Sequence, residues 1–183
     1  MSPTPYRSIT LECKADGTAW LTLNRPAVRN AMNGAMYEEA RQAVAQIRAD
    51  PAIRLLILTG AGNMFCSGGD FSYQQAQAAR PQAERLAEAS KLALWLDELN
   101  SLPKPVIGRI NGSAYAGGLG LIAVCDVAIA ESTARFAFSQ VSLGLVPCMI
   151  SPFVVRKIGA GAARSLLLNA REFSADEAAG YGL

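Results

Sequence analysis

Two glycine corners carry the chemistry that this sequence suggests. One is Cys66-Ser67-Gly68-Gly69-Asp70-Phe71, which follows the apolar run Leu55 to Thr59; the other is Gly117-Gly118, inside Asn111 to Asp126 (NGSAYAGGLGLIAVCD). The second stretch reads as a strand end, a tight turn and a buried helix whose first amides lack intrahelical acceptors and lie at the positive end of the helix dipole. Amides from two such corners, aimed at one point, would hold an oxygen that becomes negative during reaction, and losing one such donor costs roughly 3 to 4 kcal/mol of barrier. Taken singly, each corner also reads as a tight turn in which glycine serves a positive φ or close packing. Neither is a phosphate loop, because no lysine followed by Ser or Thr comes after Gly68 or Gly118.

The rest of the inventory narrows the chemistry. The chain contains no histidine, which excludes Ser-His-Asp and Cys-His nucleophile systems, histidine general bases and histidine-ligated metals. Any proton must then move through a carboxylate, a tyrosine, a cysteine or water. Cys13, Cys66, Cys125 and Cys148 are far apart with no CxxC pair, which argues against zinc and against a disulfide framework. Small core residues are the expected role for most of them. Arg29 reads either as a solvated loop residue or as a contact for a phosphorylated ligand.

Several elements are expected to position these corners. Ser8 to Cys13 and Thr18 to Leu23 alternate as strands around an Asp16-Gly17 hairpin turn. Gly34 to Ala49 has a helical face made of Met36, Ala40, Val44 and Ile47, and Pro51 stops it. Ile53 to Thr59 and Val106 to Ile110 read as buried strands, with Asp126 to Ala130 as a third and a short strand signal within Ser132 to Phe138. Ser72 to Ala83 has no apolar stripe and reads as a helical lid or a mobile loop. Ala83 to Asn100 is a helix with Leu86, Leu92, Leu96 and Leu99 on one side. Ser151 as N-cap with Pro152 behind it opens a further helix, broken at Gly159 to Gly161 and resumed over Ala162 to Leu168. Ser174 to Glu177 is a capping box. Strand, turn, helix and strand in this rhythm favour an α/β fold.

At 183 residues the chain suits one domain, or one with an appendage, and is long enough to bury a substantial core. A net charge of +2 with scattered basic residues predicts no nucleic-acid partner. No apolar run is long enough to span a bilayer, Met1 to Tyr6 lacks a signal-peptide core, and a cytoplasmic location is expected.

The motifs LNRP and RNA (Leu23 to Pro26, Arg29 to Ala31), LTGAGNMFCSGGD (Leu58 to Asp70), PVIGRINGSAYAGGLGLIAVCDVAIA (Pro105 to Ala130) and FAFSQVSLGLVP (Phe136 to Pro147) resemble the crotonase, or enoyl-CoA hydratase/isomerase, superfamily. Within it, SLGLVP followed by ISPFVVRKIG is similar to the methylglutaconyl-CoA hydratase-like branch. The resemblance implies a crotonase-like (ClpP/crotonase) spiral of ββα units over residues 1–183, lacking the family's C-terminal helical region. It also implies a homotrimer or dimer of trimers, a lyase or isomerase of fatty acid metabolism, and an acyl-CoA thioester as substrate, so that coenzyme A enters as part of the substrate and no separate cofactor is needed.

By motif position the oxyanion amides fall on Gly69 and Gly117, and Arg29, Cys66, Ser67, Gly68 and the adjoining Asp70 fall in the stretches that contact coenzyme A. The positions of the family's two water-activating glutamates carry Gly120 and Gln140. A glutamine orients water but cannot accept its proton, a role worth 10²- to 10⁴-fold. Candidates for moving the proton instead are Asp70, which also reads as a helix cap, Tyr115, Ser139 and Cys148, the last reading also as a buried structural thiol. Three functions are therefore open: hydration of an enoyl thioester, decarboxylation of a β-carboxyacyl thioester, and thioester binding without catalysis.

Overall fold

The computed structural model describes residues 6–183, so the stretch Met1 to Pro5 lies outside the described residues. The strands β1 (Ile9–Cys13) and β2 (Thr18–Leu23) form the expected hairpin, with Gly17 at φ +84° in the turn. On β2, Ala19, Leu21 and Leu23 are fully buried, and the alternation that marked the strand is the alternation of its faces. Helix α1 (Gly34–Ala49) crosses back over the sheet. It is started by Asn33, whose side-chain oxygen accepts from the Met36 amide at 3.0 Å, and it buries Met36, Ala40, Val44 and Ile47 as predicted.

From here the chain climbs as a spiral. The strand β3 (Leu55–Gly60) lies parallel to β2, then β4 (Met64–Cys66) begins a second sheet, and α2 (Phe71–Ala78) and α3 (Gln82–Asn100) return the chain to β5 (Val106–Ile110). The unit repeats as β5, β6 (Ser113–Tyr115) and α4 (Gly117–Ala123), and again as β7 (Val127–Ala130), β8 (Arg135–Ala137) and α5 (Ser151–Asn169). Short β9 (Phe173–Ser174) and α6 (Ala175–Tyr181) follow. The larger sheet runs β1-β2-β3-β5-β7 and the smaller β4-β6-β8-β9, with β2, β3, β5 and β7 parallel in one and β4, β6 and β8 parallel in the other. This is the ββα spiral that the resemblance implies.

Two buried asparagines fix the step from one sheet to the next. Asn111 accepts from the Gly60 amide at 2.9 Å and donates to the Gly62 carbonyl at 2.9 Å. Asn30 donates to the carbonyls of Ala61 and Met64 at 2.9 and 2.8 Å and accepts from the Arg25 amide at 3.0 Å. Both act on the bend between β3 and β4, where no regular ladder satisfies the backbone.

Some expectations change. Ser72 to Ala83, open between lid helix and loop, is α2 and the start of α3, with Pro81 as the cap of α3. Leu86 is exposed, so the buried face of α3 is Trp95, Leu96 and Leu99. The strand β7 is a sheet edge, not a buried strand: among the described residues it pairs with β5 alone, and its Val127 and Ile129 are exposed. Ile150 caps α5 in place of Ser151, and Pro152 is in its first turn. The break at Gly159 is present, at φ +77° and ψ 159°, and the Ser174–Glu177 capping box is formed. Only Cys66 and Cys125 are core residues; Cys13 and Cys148 are exposed.

The asparagine staples predict a stability effect at a distance from any ligand. Asn111→Ala leaves the Gly60 amide and the Gly62 carbonyl without their partners, and should cost about 2 to 4 kcal/mol, read as a lowered urea midpoint with an unchanged slope.

Candidate active site

The two glycine corners meet. At Gly68, φ is +95° and an added Cβ would lie 3.0 Å from both the Ala116 side chain and the Tyr115 carbonyl, and 3.6 Å from the Gly117 nitrogen. At Gly118, an added Cβ would lie 2.8 Å from the Cys66 carbonyl. Each corner therefore occupies the space a side chain on the other would need. The strained residue of the second corner is Ala116, at φ +49° and ψ −115°; Gly117 and Gly118 are already helical, so glycine serves close packing there.

The direction of the amides follows from their neighbours. Met32 pairs in parallel with Gly69: its amide donates to the Gly68 carbonyl and its carbonyl accepts from Asp70, both at 2.8 Å. Backbone groups alternate along an extended chain, so the Gly69 N–H points away from Met32. At the second corner the Ala116 amide donates to Ala137 at 2.9 Å, and the Leu119 amide folds back to Ala116 at 3.1 Å. Among the described residues neither the Gly69 nor the Gly117 amide has a protein acceptor. Both residues line one cavity of about 200 Å³, together with Gln74, Leu92, Gln140, Cys148 and Ile150. The Gln140 Oε1 is buried there without a hydrogen-bond partner.

The other expected residues divide by burial. Gly120 does not line this cavity: an added Cβ would lie 2.5 Å from the Ile150 side chain, so isoleucine fills the space and the proposed catalytic position is core. Cys66 is fully buried, its thiol pushed up to about 12 by burial; the thiol donates to the Asn30 carbonyl at 3.3 Å and accepts from the Gly68 amide at 3.4 Å. As a contact for coenzyme A its side chain is therefore corrected to a packing role. Exposed Arg29, at φ +54°, and half-buried Ser67 adjoin, the Ser67 amide donating to the Arg29 carbonyl at 3.0 Å, but neither lines the cavity.

Asp70 is occupied. Its carboxylate accepts from the Tyr73 amide at 3.1 Å as the cap of α2 and pairs with Arg25 at 2.9 Å. Burial raises its pKa, but the Tyr73 amide and the Arg25 guanidinium outweigh it and hold the carboxyl below the usual range. Tyr115 donates to Glu172 at 3.0 Å, and burial together with that carboxylate pushes its pKa up. Neither Asp70, Tyr115 nor Ser139 lines the cavity, whereas Cys148 does and is exposed, contrary to the buried-thiol reading. No Asp or Glu lines this chamber. Among the described residues no group of His, Cys, Asp and Glu could hold a metal ion, and no helix is long and apolar enough to cross a membrane.

Sequence reasoning missed a second chamber beside the first, sharing Tyr37, Gln74, Ala89, Leu92 and Met149 with it and adding Tyr73, Gln77, Arg85 and Glu88. Residues from α1, α2 and α3, with Met149 from the loop before α5, build it, and none carried a motif. Its one readable signal was Asp70 as a cap, which sets α2 with Tyr73 and Gln74 one turn on.

A profile of the Enoyl-CoA hydratase/isomerase family matches residues 14–183. Crotonyl-CoA hydratase of Syntrophomonas wolfei is 37% identical over 97% of this chain and 68% of its own length, and the bacillaene synthase dehydratase PksH of Bacillus subtilis is 32% identical over 97% and 68%. Among solved structures, AtuE of Pseudomonas aeruginosa superposes with a TM-score of 0.93 at 38% identity, covering 96% of this chain and 68% of that one. An enoyl-CoA hydratase of Shewanella pealeana gives 0.93 at 34%, over 97% and 66%. The chain spans half to about two thirds of the length of the curated relatives it matches.

Asp70→Ala tests the cap and ion pair. Because the folded-state pKa is depressed, this carboxylate contributes stability that is fully present above its unfolded value, about 3.9, and is lost as pH falls through the lower folded value. The variant should be about 1 to 2 kcal/mol less stable at pH 7, with the gap narrowing in denaturant titrations as pH falls below the unfolded value and through the lower folded one.

Proposed function

The chain belongs to the enoyl-CoA hydratase/isomerase family, and from that premise we propose that it acts on an acyl-CoA thioester whose carbonyl oxygen is held by the amides of Gly69 and Gly117. The observation that carries this reading is that both amides lack acceptors and line the cavity that also holds the unpartnered Gln140 oxygen. When water adds to the β-carbon, or when the α-carbon loses a proton or a carboxylate, the thioester oxygen takes up negative charge. Two amides placed before the reaction stabilise that charge more than they stabilise the neutral ground state. Arg29 and Ser67, joined by a backbone hydrogen bond beside the same corner, are the residues proposed to meet the coenzyme A portion, a reading supported by the exposure of Arg29.

Gln140 accepts a hydrogen bond from a water molecule and so orients it, without taking its proton. The methylglutaconyl-type acyl chain rests on the SLGLVP and ISPFVVRKIG motifs, and assembly as a trimer or dimer of trimers and a cytoplasmic role in fatty acid metabolism rest on family likeness. A second reading, decarboxylation of a β-carboxyacyl thioester, is favoured by the absence of any carboxylate from the amide-lined chamber and by Ile150 filling the space beside Gly120. That reaction needs the oxyanion site and a proton donor but no base for water.

The test follows the enoyl absorbance of crotonyl-CoA and methylglutaconyl-CoA and the CO₂ released from methylmalonyl-CoA. Hydration should be slow in the natural protein and rise by about 10²- to 10⁴-fold in Gln140→Glu. An unchanged hydration rate together with CO₂ release would favour the second reading, and failure of calorimetry to detect any thioester binding would sink both.

A further inference from the structure

The amide-lined chamber holds no carboxylate, yet every reaction open to this site moves a proton at the α-carbon. The adjoining chamber contains a hydrogen-bonded phenol and carboxylate. The Tyr73 hydroxyl donates to Glu88, and Glu88 in turn pairs with Lys91 at 2.9 Å, which reaches Glu38 on α1 at 2.6 Å. Tyr73 stands on α2, whose cap, Asp70, directly follows Gly69, and the side chain of its neighbour Gln74 lies against Gly69. The shared walls, Tyr37, Gln74, Ala89, Leu92 and Met149, make the two chambers contiguous.

We propose that Tyr73, backed by Glu88, is the proton-carrying residue of this site, exchanging a proton with the α-carbon of the bound thioester while the enolate oxygen rests on Gly69 and Gly117. In the forward direction the α-carbon C–H bond breaks, its proton bonds to the Tyr73 oxygen as the phenolic proton passes to Glu88, and the C–H electron pair becomes the enolate. In reverse, the Tyr73 proton bonds to the α-carbon using the enolate pair, and Glu88 returns a proton to the phenolate. Glu88 exchanges protons with water, because its side chain is partly open to solvent. When water has added its oxygen at the β-carbon, the proton it sheds replaces the one Tyr73 delivers, and the sum is one water added.

The resting charge state suits this role. Burial raises the Tyr73 pKa and donation to Glu88 raises it further, so the phenol is protonated at neutral pH. Burial opposes ionisation of Glu88, but the Tyr73 hydrogen bond and Lys91 outweigh it, so the carboxylate is charged. Arg80 acts in the same direction on Glu88, while Arg85 and Tyr37 line the chamber beside it. A plain structural tie between α1, α2 and α3 would look similar at rest, so the test has to read proton transfer itself.

The inference rests on the thioester reading above, and the experiment separates the two. Butyryl-CoA, which has no double bond to hydrate, is incubated with the protein in heavy water, and deuterium at its α-carbon is measured by mass spectrometry beside calorimetric binding. Tyr73→Phe should exchange at least about 100-fold more slowly and Glu88→Gln about tenfold more slowly, each binding butyryl-CoA within threefold of the natural protein. Arg41→Met, which breaks the 2.6 Å Arg41–Glu98 pair between the same helices α1 and α3, should exchange normally. The relay is overturned by exchange within threefold in Tyr73→Phe, by an equal loss in Arg41→Met, or by binding without exchange in the natural protein. No thioester binding in the natural protein would bring down the underlying reading as well.

Discussion

The structure depends on the near-contact of two backbones at the ends of β4 and β6. Gly68 lies against Ala116 and Tyr115, and Gly118 against Cys66, at distances that leave no volume for a Cβ on either glycine. Parallel pairing of β4 with β6 brings the two chain ends to the same height, and the missing side chains let them close. Everything proposed for the site follows from that closure. It puts Gly69 and Gly117 on one cavity, and it turns amides that a looser turn would leave to water into donors facing a confined space.

Closure of this kind needs support, since corners without a regular ladder have no hydrogen bonds of their own. Asn30 and Asn111 supply it at the bend from β3 to β4, and Asp70 supplies it at the exit, gripping the start of α2 while Arg25 pins it from the β2 side. These side chains are polar and well shielded because their work is to satisfy backbone groups, and an apolar residue of equal size would leave those groups bare. Residues that look like candidates for chemistry by type, Cys66 and Asp70 above all, belong to this supporting layer.

The site is also divided by charge. The chamber beside the amides has only neutral side chains on its walls, and the charged groups, Arg85 and Glu88, stand across Tyr37 and Leu92 in the next one. A chamber without a fixed negative charge strengthens the pull of two amides on a developing oxyanion, because no carboxylate competes for them. At Gly120 the absence of a carboxylate is enforced by packing: Ile150 occupies the space that a longer side chain there would enter.

Local residue chemistry was enough to announce much of this fold. The Asp16-Gly17 hairpin, the apolar face of α1, the break at Gly159 and the Ser174–Glu177 capping box are set by neighbours a few residues away, and they are legible for that reason. The glycine corners were legible as well, as glycine where no other residue fits. What the sequence by itself could not express was burial and partnership across long separations. Strands of two or three residues such as β4, β6 and β9 carry no periodicity, β7 reads as buried although it ends the sheet, and the chamber of Tyr73 and Glu88 exists only because three helices pack there. The sequence determined which corners are glycine and that no histidine takes part; tertiary structure decided which candidates reach the cavity, since access and unpaired hydrogen-bonding groups belong to the packed assembly rather than to any one stretch of chain.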